Sequence, residues 1–244
     1  FWQNIMIDFL LDVFKEHEDD DAIIWNEHEY SYGWLLKRIK YWKNEIEKET
    51  NVRNKVIILE ADFSPNAIAL FLTLLDLNSI LVPITKSVKN KRSEFIEIAQ
   101  GEVLINIDEK DNVSIQDLPY TKSHELYKKL AQLNQPGLIL FSSGSTGKSK
   151  AALHNMAGIL EKFKVRKRKL RTITFLLYDH IGGVNTMLYT LSNGGCIITV
   201  LDRGPDSVLK AIEKYNVELL PTSPTFLNIL LGTTDVNSGD PVPM

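Results

Sequence analysis

Residues 137–150 read GLILFSSGSTGKSK, and this stretch decides the fold. The apolar run 138–141 predicts a buried strand. The residues that follow carry hydroxyl groups, two glycines and two lysines. Glycine lets backbone amides turn toward a ligand, and hydroxyl, amide and ammonium groups all bind anionic oxygens. The stretch therefore predicts a phosphate-binding loop at the carboxyl end of a strand, where open α/β sheets bind their ligands.

On both sides of this loop, short apolar runs alternate with patterns of helical period. The continuous apolar runs predict strands of a mainly parallel sheet, and the alternation predicts an α/β fold of layered sheets flanked by helices. Strands are predicted at 22–25, 56–59, 80–84, 103–107, 137–141, 150–154, 172–178 and 196–200, and helices at 5–14, 66–77, 94–100, 125–133, 183–191, 205–215 and 224–231. Ser31 is predicted to cap a further long helix. The polar stretch 108–135 is a candidate seam between subdomains.

The composition excludes several classes of protein. A net charge of −3 does not suit binding to nucleic acid through bulk positive charge. Cys196 is the single cysteine of the 244 residues, which excludes an internal disulfide and a zinc site built from several cysteines. No apolar run approaches the ~20 residues that a membrane-spanning helix needs. The opening residues do not form a secretory signal, and we expect a cytoplasmic protein.

Two types of phosphate loop compete for residues 142–150. The mononucleotide P-loop has the form Gly-x4-Gly-Lys-Ser/Thr. Gly147-Lys148-Ser149 supplies its end, but Ser142 stands where its first glycine is required. A P-loop also continues directly into a helix, whereas 150–154 predicts a strand. These two departures disfavour a phosphoryl-transfer protein.

The loop resembles that of the adenylate-forming superfamily, which contains acyl- and aryl-CoA synthetases, luciferases and peptide-synthetase adenylation domains. That loop has the form aromatic–Ser/Thr–Ser–Gly–Ser/Thr–Thr–Gly–x–Pro–Lys–Gly–Val, often with a histidine soon after. The matching residues are Phe141, Ser142, Ser143, Gly144, Ser145, Thr146, Gly147, Lys148, Lys150 and His154. Ser149 replaces the usual proline and loosens the turn, and Ala151 replaces the usual glycine. Neither change removes a phosphate-binding group.

A second element, residues 178–183, is similar to the superfamily's aromatic–His–x–x–Gly segment, which lines the pocket for the carboxylate substrate. Here it reads YDHIGG. The resemblance implies that His180 lines this pocket and that Gly182 and Gly183 admit a bound group. Asp179 has two interpretations: it caps the following helix, or it binds the substrate ammonium as in the amino-acid-activating branch. Residues 64–83 and 207–225 resemble the superfamily more weakly.

The resemblance implies that residues 1–244 are an incomplete N-terminal adenylation domain, without the small C-terminal domain or the Tyr-Gly-x-Thr-Glu motif. The implied activity is ATP-dependent activation of a small carboxylic acid through an acyl-adenylate, with release of pyrophosphate and transfer to a thiol, as in an AMP-forming acyl-CoA synthetase. ATP, Mg²⁺ and coenzyme A are the implied cofactors, and a carrier-protein thiol is the alternative acceptor. Residues 142–150 would bind the phosphates, with Thr146, Lys150 and His180 as candidate catalytic residues; no metal ligand is assigned.

Two alternatives remain open at this point. The chain is an amino-acid-activating adenylation domain, or it is a non-catalytic nucleotide-binding module. The basic run at 164–171 is interpreted as a solvated loop, and the alternative is a surface that attracts the phosphates of a nucleotide or coenzyme.

Overall fold

The computed structural model describes residues 6–143 and 149–238, and these form two sheets flanked by helices. The strands are β1 (Asp21–Trp25), β2 (His28–Ser31), β3 (Val56–Glu60), β4 (Ile80–Ile84), β5 (Val103–Ile107), β6 (Val113–Asp117), β7 (Gly137–Ser143), β8 (Ser149–Asn155), β9 (Arg171–Ile173) and β10 (Cys196–Ile198). One sheet has the order β6-β5-β3-β4-β7-β8 and the other β2-β1-β10-β9.

The helices connect and cover these strands. They are α1 (Asp8–Glu16), α2 (Tyr32–Glu49), α3 (Pro65–Asp76), α4 (Arg92–Ala99), α5 (Glu125–Leu133), α6 (Met156–Glu161), α7 (Ile181–Ser192), α8 (Pro205–Tyr215) and α9 (Pro224–Ser238). A 3₁₀ helix, Lys86–Lys91, leads into α4. Within the described ranges, no helix combines the length and the apolar character needed to cross a bilayer.

The strand pairing confirms the predicted mainly parallel architecture. In the larger sheet β5, β3, β4 and β7 are parallel neighbours, and in the smaller sheet β1, β10 and β9 are. Antiparallel partners close both edges of the larger sheet, β6 on β5 and β8 on β7. Parallel strands put their carboxyl ends at one edge, so the segments that follow β4 and β7 become neighbours.

Local sequence signals set where two of the helices begin. The Ser31 side chain accepts a hydrogen bond from the Trp34 amide at 3.1 Å, which confirms the predicted cap of α2. Ser64 accepts one from the Ala67 amide at 3.2 Å, and Pro65 occupies the first turn of α3. Each cap satisfies an amide at the start of the helix that has no acceptor within it.

A continuous core joins the two sheets, and α3 lies at its centre. Nearly every residue of α3 is buried. The same apolar cluster contains Ile23 and Ile197 from the smaller sheet and Ile57 and Leu81 from the larger one. Because apolar burial is the dominant favourable term in folding, this shared core holds the two sheets against each other.

Three sequence predictions need correction. The stretch 108–124 was expected to be connection only, but it contains β6, whose pattern is largely exposed and polar and therefore lacked an apolar signal. The hairpin strand β2 is equally polar and was not predicted. The strand expected over 172–178 ends at Ile173, because residues 174–178 turn away toward α7. A subdomain seam within 108–135 stays a prediction.

Candidate functional site

The phosphate-loop sequence connects two paired strands, β7 and β8. Their register pairs Phe141 with Ala151, Ser142 with Lys150, and Ser143 with Ser149. The strand predicted directly after the loop is thus confirmed, which contradicts the helix that a P-loop requires. The remaining predicted phosphate ligands lie outside the described residues: Gly144, Ser145, Thr146, Gly147 and Lys148, together with the side chain of Ser143.

Helix α4 contacts both strands that flank this loop. The Phe95 ring stacks on the Phe141 ring, with centroids 3.8 Å apart and planes 5° apart. The carboxylate Oε1 of Glu94 accepts a hydrogen bond from the Ser149 amide at 3.0 Å. Consecutive residues of one helix therefore hold the strand before the loop and the strand after it.

A cavity of about 410 Å³ lies beside the hairpin, and its volume suits a small-molecule ligand. It brings together Ser142, Ser149, Asp179 and His180, which lie far apart in sequence. The 3₁₀ helix and α4 provide the opposite wall. The residues on that wall are Ser87, Val88, Asn90, Lys91 and Phe95.

Asp179 is the buried charge of this cavity, with 7% of its side chain exposed. Its Oδ2 accepts hydrogen bonds from the Thr85 amide at 3.2 Å and from the Thr85 hydroxyl at 2.8 Å. Its Oδ1 has no hydrogen-bond partner among the described residues, and His180 Nε2 lies 3.7 Å from it. The Asp179 side chain does not cap α7, which corrects the capping interpretation; His180 occupies the cap position.

The His180 side chain is 60% exposed, so it is available to a ligand at the start of α7. Tyr178 faces the opposite way: it is fully buried and its hydroxyl donates to the Ala67 carbonyl at 2.9 Å. Burial raises the pKa of Tyr178 well above its usual value. The segment 178–180 therefore consists of a buried core residue, Tyr178, and two residues that line the cavity, Asp179 and His180.

The two glycines of α7 lie close to residues 176 and 177. A Cβ at Gly183 would lie 2.0 Å from the Leu177 carbonyl oxygen, so the helix approaches this backbone more closely than any side chain permits. A Cβ at Gly182 would meet the Leu176 side chain. Neither glycine is among the described residues that line the cavity. At Gly183 the protein's own backbone is one reason for glycine. That the two glycines admit a bound group stays a prediction.

Lys150 lies on β8 with its side chain exposed, across the hairpin from Ser142. The basic run at 164–171 differs from Lys150 in that several of its side chains form ion pairs. Lys164, Arg166 and Lys169 each form an ion pair with a nearby carboxylate, at 2.5, 2.8 and 2.7 Å. Their charges are largely compensated at the surface, which supports the solvated-loop interpretation.

A larger cavity of about 770 Å³ lies at the carboxyl ends of β3, β4 and β5. Two arginine–carboxylate pairs line it. Arg203 binds both oxygens of Asp62 at 2.8 Å, and Arg92 binds both oxygens of Glu60 at 2.9–3.0 Å. Bidentate pairs of this kind orient both partners. Ser87 and Thr85 also line this cavity, so it lies next to the smaller one.

Sequence reasoning missed the wall formed by Ser87, Asn90, Lys91 and Phe95. Ser87, Asn90 and Lys91 lie in a polar segment that resembles a surface connection, and Phe95 lies in a predicted helix that no motif connects with the site. They reach the site because β4 pairs with β7, and this adjacency joins residues more than fifty positions apart. No local pattern carries that signal.

Comparisons with known proteins agree with this geometry. A family model described as AMP-binding enzyme matches residues 11–241. The chain belongs to the AMP-binding enzyme family. This confirms the predicted resemblance to the N-terminal part of the adenylate-forming superfamily. A comparison with curated proteins finds no match.

Solved structures share the fold of this AMP-binding family member. The N-terminal subdomain of Klebsiella oxytoca NpsA, in complex with 3-hydroxyanthranilyl-AMSN, has a TM-score of 0.70 at 18% identity over 87% of this chain. The luciferase-like enzyme from the nonluminescent mealworm Zophobas morio has a TM-score of 0.75 at 15% identity over 98% of this chain. An artificially fused NpsA-ThdA adenylation–PCP di-domain from Klebsiella oxytoca has 0.71 at 18% over 88%. The chain spans 59%, 65% and 47% of these structures, respectively.

Proposed function

We propose that this chain contributes the phosphate loop and part of the acid pocket to an enzyme that activates a carboxylic acid with ATP. A carboxylate oxygen attacks the α-phosphorus, the bond to the α–β bridging oxygen breaks, and pyrophosphate leaves. A thiol then displaces AMP from the acyl-adenylate. The observation that carries the proposal is the single cavity shared by Ser142 and Ser149 of the loop hairpin and by His180 of α7, in a chain of the AMP-binding enzyme family.

Catalysis in this proposal depends on position and charge, without a protein nucleophile. Residues 142–150 hold the β- and γ-phosphates as they become pyrophosphate, with Thr146 and Lys150 as the principal donors. His180, exposed at the start of α7, contacts the acid. The positive end of the α7 dipole favours the developing negative charge nearby.

Mg²⁺ belongs to the proposal only as a companion of ATP. In the described ranges, no three His, Cys, Asp or Glu side chains are grouped so as to hold a metal ion. We therefore assign it no protein ligand and no step. Coenzyme A is the proposed thiol, with a carrier protein as the alternative acceptor.

The test is ATP–pyrophosphate exchange by the full-length protein with a panel of carboxylic acids. We expect labelled pyrophosphate to enter ATP only when the correct acid is present, and AMP to be the nucleotide product. Formation of ADP would overturn adenylation and restore phosphoryl transfer. Nucleotide binding without exchange on any acid would instead indicate a non-catalytic module.

A second candidate, an amino-acid-activating adenylation domain, is favoured by Asp179. Its buried carboxylate keeps one oxygen without a hydrogen-bond partner among the described residues on the cavity wall. A buried charge is stabilised when an opposite charge or a donor pairs with it. The ammonium group of an amino-acid substrate would supply Asp179 with an opposite charge and with a hydrogen-bond donor.

Asp179→Asn tests this candidate. The amide oxygen still accepts from Thr85, while the negative charge is lost. We expect the KM for an amino-bearing acid to rise about tenfold, the size expected for a charged hydrogen bond. The KM for the same acid without its amino group is the matched control and should not change. Equal effects on both substrates would exclude a contact between Asp179 and the amino group.

A further inference from the structure

The exit of the phosphate loop departs from the superfamily pattern at Ser149, where proline is usual. Proline fixes φ and has no amide hydrogen, so it rigidifies a turn without any partner. A serine at this position has a free φ torsion and an amide hydrogen that can be donated. In this chain that donor is used: the Ser149 amide donates to Glu94 Oε1 at 3.0 Å.

We propose that Glu94 is a positioning residue that replaces this proline, by holding the loop exit through the Ser149 amide. The inference rests on the proposed function, because it assigns Glu94 to the loop that binds the phosphates of ATP. A hydrogen bond to a carboxylate is stronger than one between neutral groups, so it fixes the amide firmly. It does so at residue 149, where the change from proline created a donor.

The neighbouring contact makes this arrangement rigid. Phe95 follows Glu94 in α4 and stacks on Phe141, the last residue before the loop's hydroxyl groups begin. Phe95 is 6% exposed, so α4 is anchored in the core at this point. With β7 and β8 paired up to Ser143 and Ser149, the helix fixes both ends of the intervening residues 144–148.

Burial around Ser149 supports the same conclusion. The residue is 8% exposed, and its hydroxyl has no hydrogen-bond partner among the described residues. Its side chain therefore contributes less than its backbone to holding the exit. The proline variant therefore removes the amide hydrogen bond to Glu94 and no side-chain hydrogen bond among the described residues.

The experiment is a cycle of substitutions in the full-length protein, with ATP affinity and the KM for ATP as readouts. Glu94→Ala should weaken ATP binding and raise the KM for ATP about tenfold, the effect of losing a hydrogen bond to a charged group. The KM for the carboxylic acid should not change. Glu94→Gln keeps an oxygen acceptor and should retain most of the affinity. Glu97→Ala, an exposed residue on the same helix, is the matched control.

The decisive step is to repeat Glu94→Ala in two backgrounds. In the Ser149→Ala background the amide remains, so the tenfold loss should persist. In the Ser149→Pro background the amide is gone and proline fixes φ at residue 149, so Glu94→Ala should cause a clearly smaller loss than in the Ser149→Ala background. A loss of the same size in both backgrounds would overturn the proposal.

Amide hydrogen exchange at Ser149 gives a readout independent of activity and of the proline variant. Exchange should accelerate in Glu94→Ala and stay slow in Glu97→Ala; unchanged exchange in Glu94→Ala would overturn the proposal. If the unsubstituted protein binds no ATP, the proposed function fails, and exchange at Ser149 still decides whether Glu94 holds the loop exit.

Discussion

The two antiparallel hairpins at the edges of the larger sheet use their polar residues in opposite ways. The β5–β6 turn contains Asp108, Asp111 and Asn112, and its carboxylates accept hydrogen bonds from the protein itself. The β7–β8 loop has hydroxyl groups, glycines and lysines at 142–150 and no carboxylate. One turn satisfies its acceptors internally, whereas the other carries an excess of donors. An excess of donors is what a polyanionic ligand requires.

Within the β5–β6 turn, each aspartate has a distinct structural task. Asp108 accepts from the Lys110 and Asn112 amides and from the Asn112 side chain, at 2.8–3.0 Å. The Asn112 hydrogen bonds hold the pKa of Asp108 below its usual value. Asp111, with a left-handed φ of 65°, accepts from Ser64 and from the Asn66 amide at the start of α3. This turn therefore also caps the central helix.

The largest expected effect is on catalysis, and it is tested by removing one lysine from each hairpin. Lys150→Ala should lower the rate of ATP–pyrophosphate exchange about 100-fold, the scale of losing one preorganised charge-stabilising donor. Lys110→Ala, in the exposed part of the other turn, should change the rate less than twofold. Equal losses in the two variants would break the comparison.

A smaller effect is expected on stability, and it is tested by removing one serine hydroxyl at each hairpin. Ser64→Ala removes the cap of α3 and a donor to Asp111, and should lower the free energy of unfolding by about 1–2 kcal/mol. Ser142→Ala removes an exposed hydroxyl beside the cavity, and should change that free energy by less than about 0.5 kcal/mol. Chemical denaturation measures both. A comparable loss of stability in Ser142→Ala would mean that this hydroxyl serves the fold.

The smallest effect is a dependence of stability on pH. Burial raises the pKa of Asp111, and it outweighs the hydrogen bonds from Ser64 and Asn66 that favour the charged form. The folded state therefore holds this proton more tightly than the unfolded state. The resulting stabilisation is complete below the ordinary pKa of an aspartate and is lost as pH rises through the raised value in the folded state.

Asp111→Asn removes this titration while keeping an oxygen acceptor. The stability of the unsubstituted protein relative to Asp111→Asn should decrease as pH rises from about 4 toward neutrality. Urea denaturation across that range gives the difference. A relative stability that increases with pH would show that the hydrogen bonds dominate over burial at Asp111.

The parts of the fold with apolar runs or capping residues were predictable from the sequence. The runs at β3, β4, β5 and β7 predicted buried strands, and Ser31 predicted the start of a helix. The polar strands β2 and β6 were not predictable, because their pairing with β1 and β5 supplies the strand structure that their own side chains do not indicate. In such edge strands, pairing with the neighbouring strand determines the structure more than the intrinsic β-propensity of the residues does.

For the candidate site, the sequence predicted the residues that belong to recognisable motifs. It missed the residues that only the pairing of distant strands places at the cavity. Residues 142–150 and His180 came from motif resemblance, and the structure brings Ser142 and His180 to one cavity. Lys91, Glu94 and Phe95 lie near the loop because β4, which precedes them in the chain, pairs with β7. The role of Gly183 at the ligand stays a prediction, and the nearby Leu177 carbonyl is a structural reason for glycine there that the sequence does not reveal.

The smaller sheet has a consequence for the order in which a growing chain acquires structure. β1 pairs Ile23 with Ile197 of β10, and the Thr199 hydroxyl reaches the Ile24 carbonyl across 175 positions of sequence. β3, β4, β5 and β7, by contrast, all emerge before residue 144. During synthesis from the N-terminus, β1 therefore remains without its parallel neighbour until β10 has left the ribosome, while the larger sheet already has its strands. The apolar residues of β1 must stay protected from other chains throughout that interval.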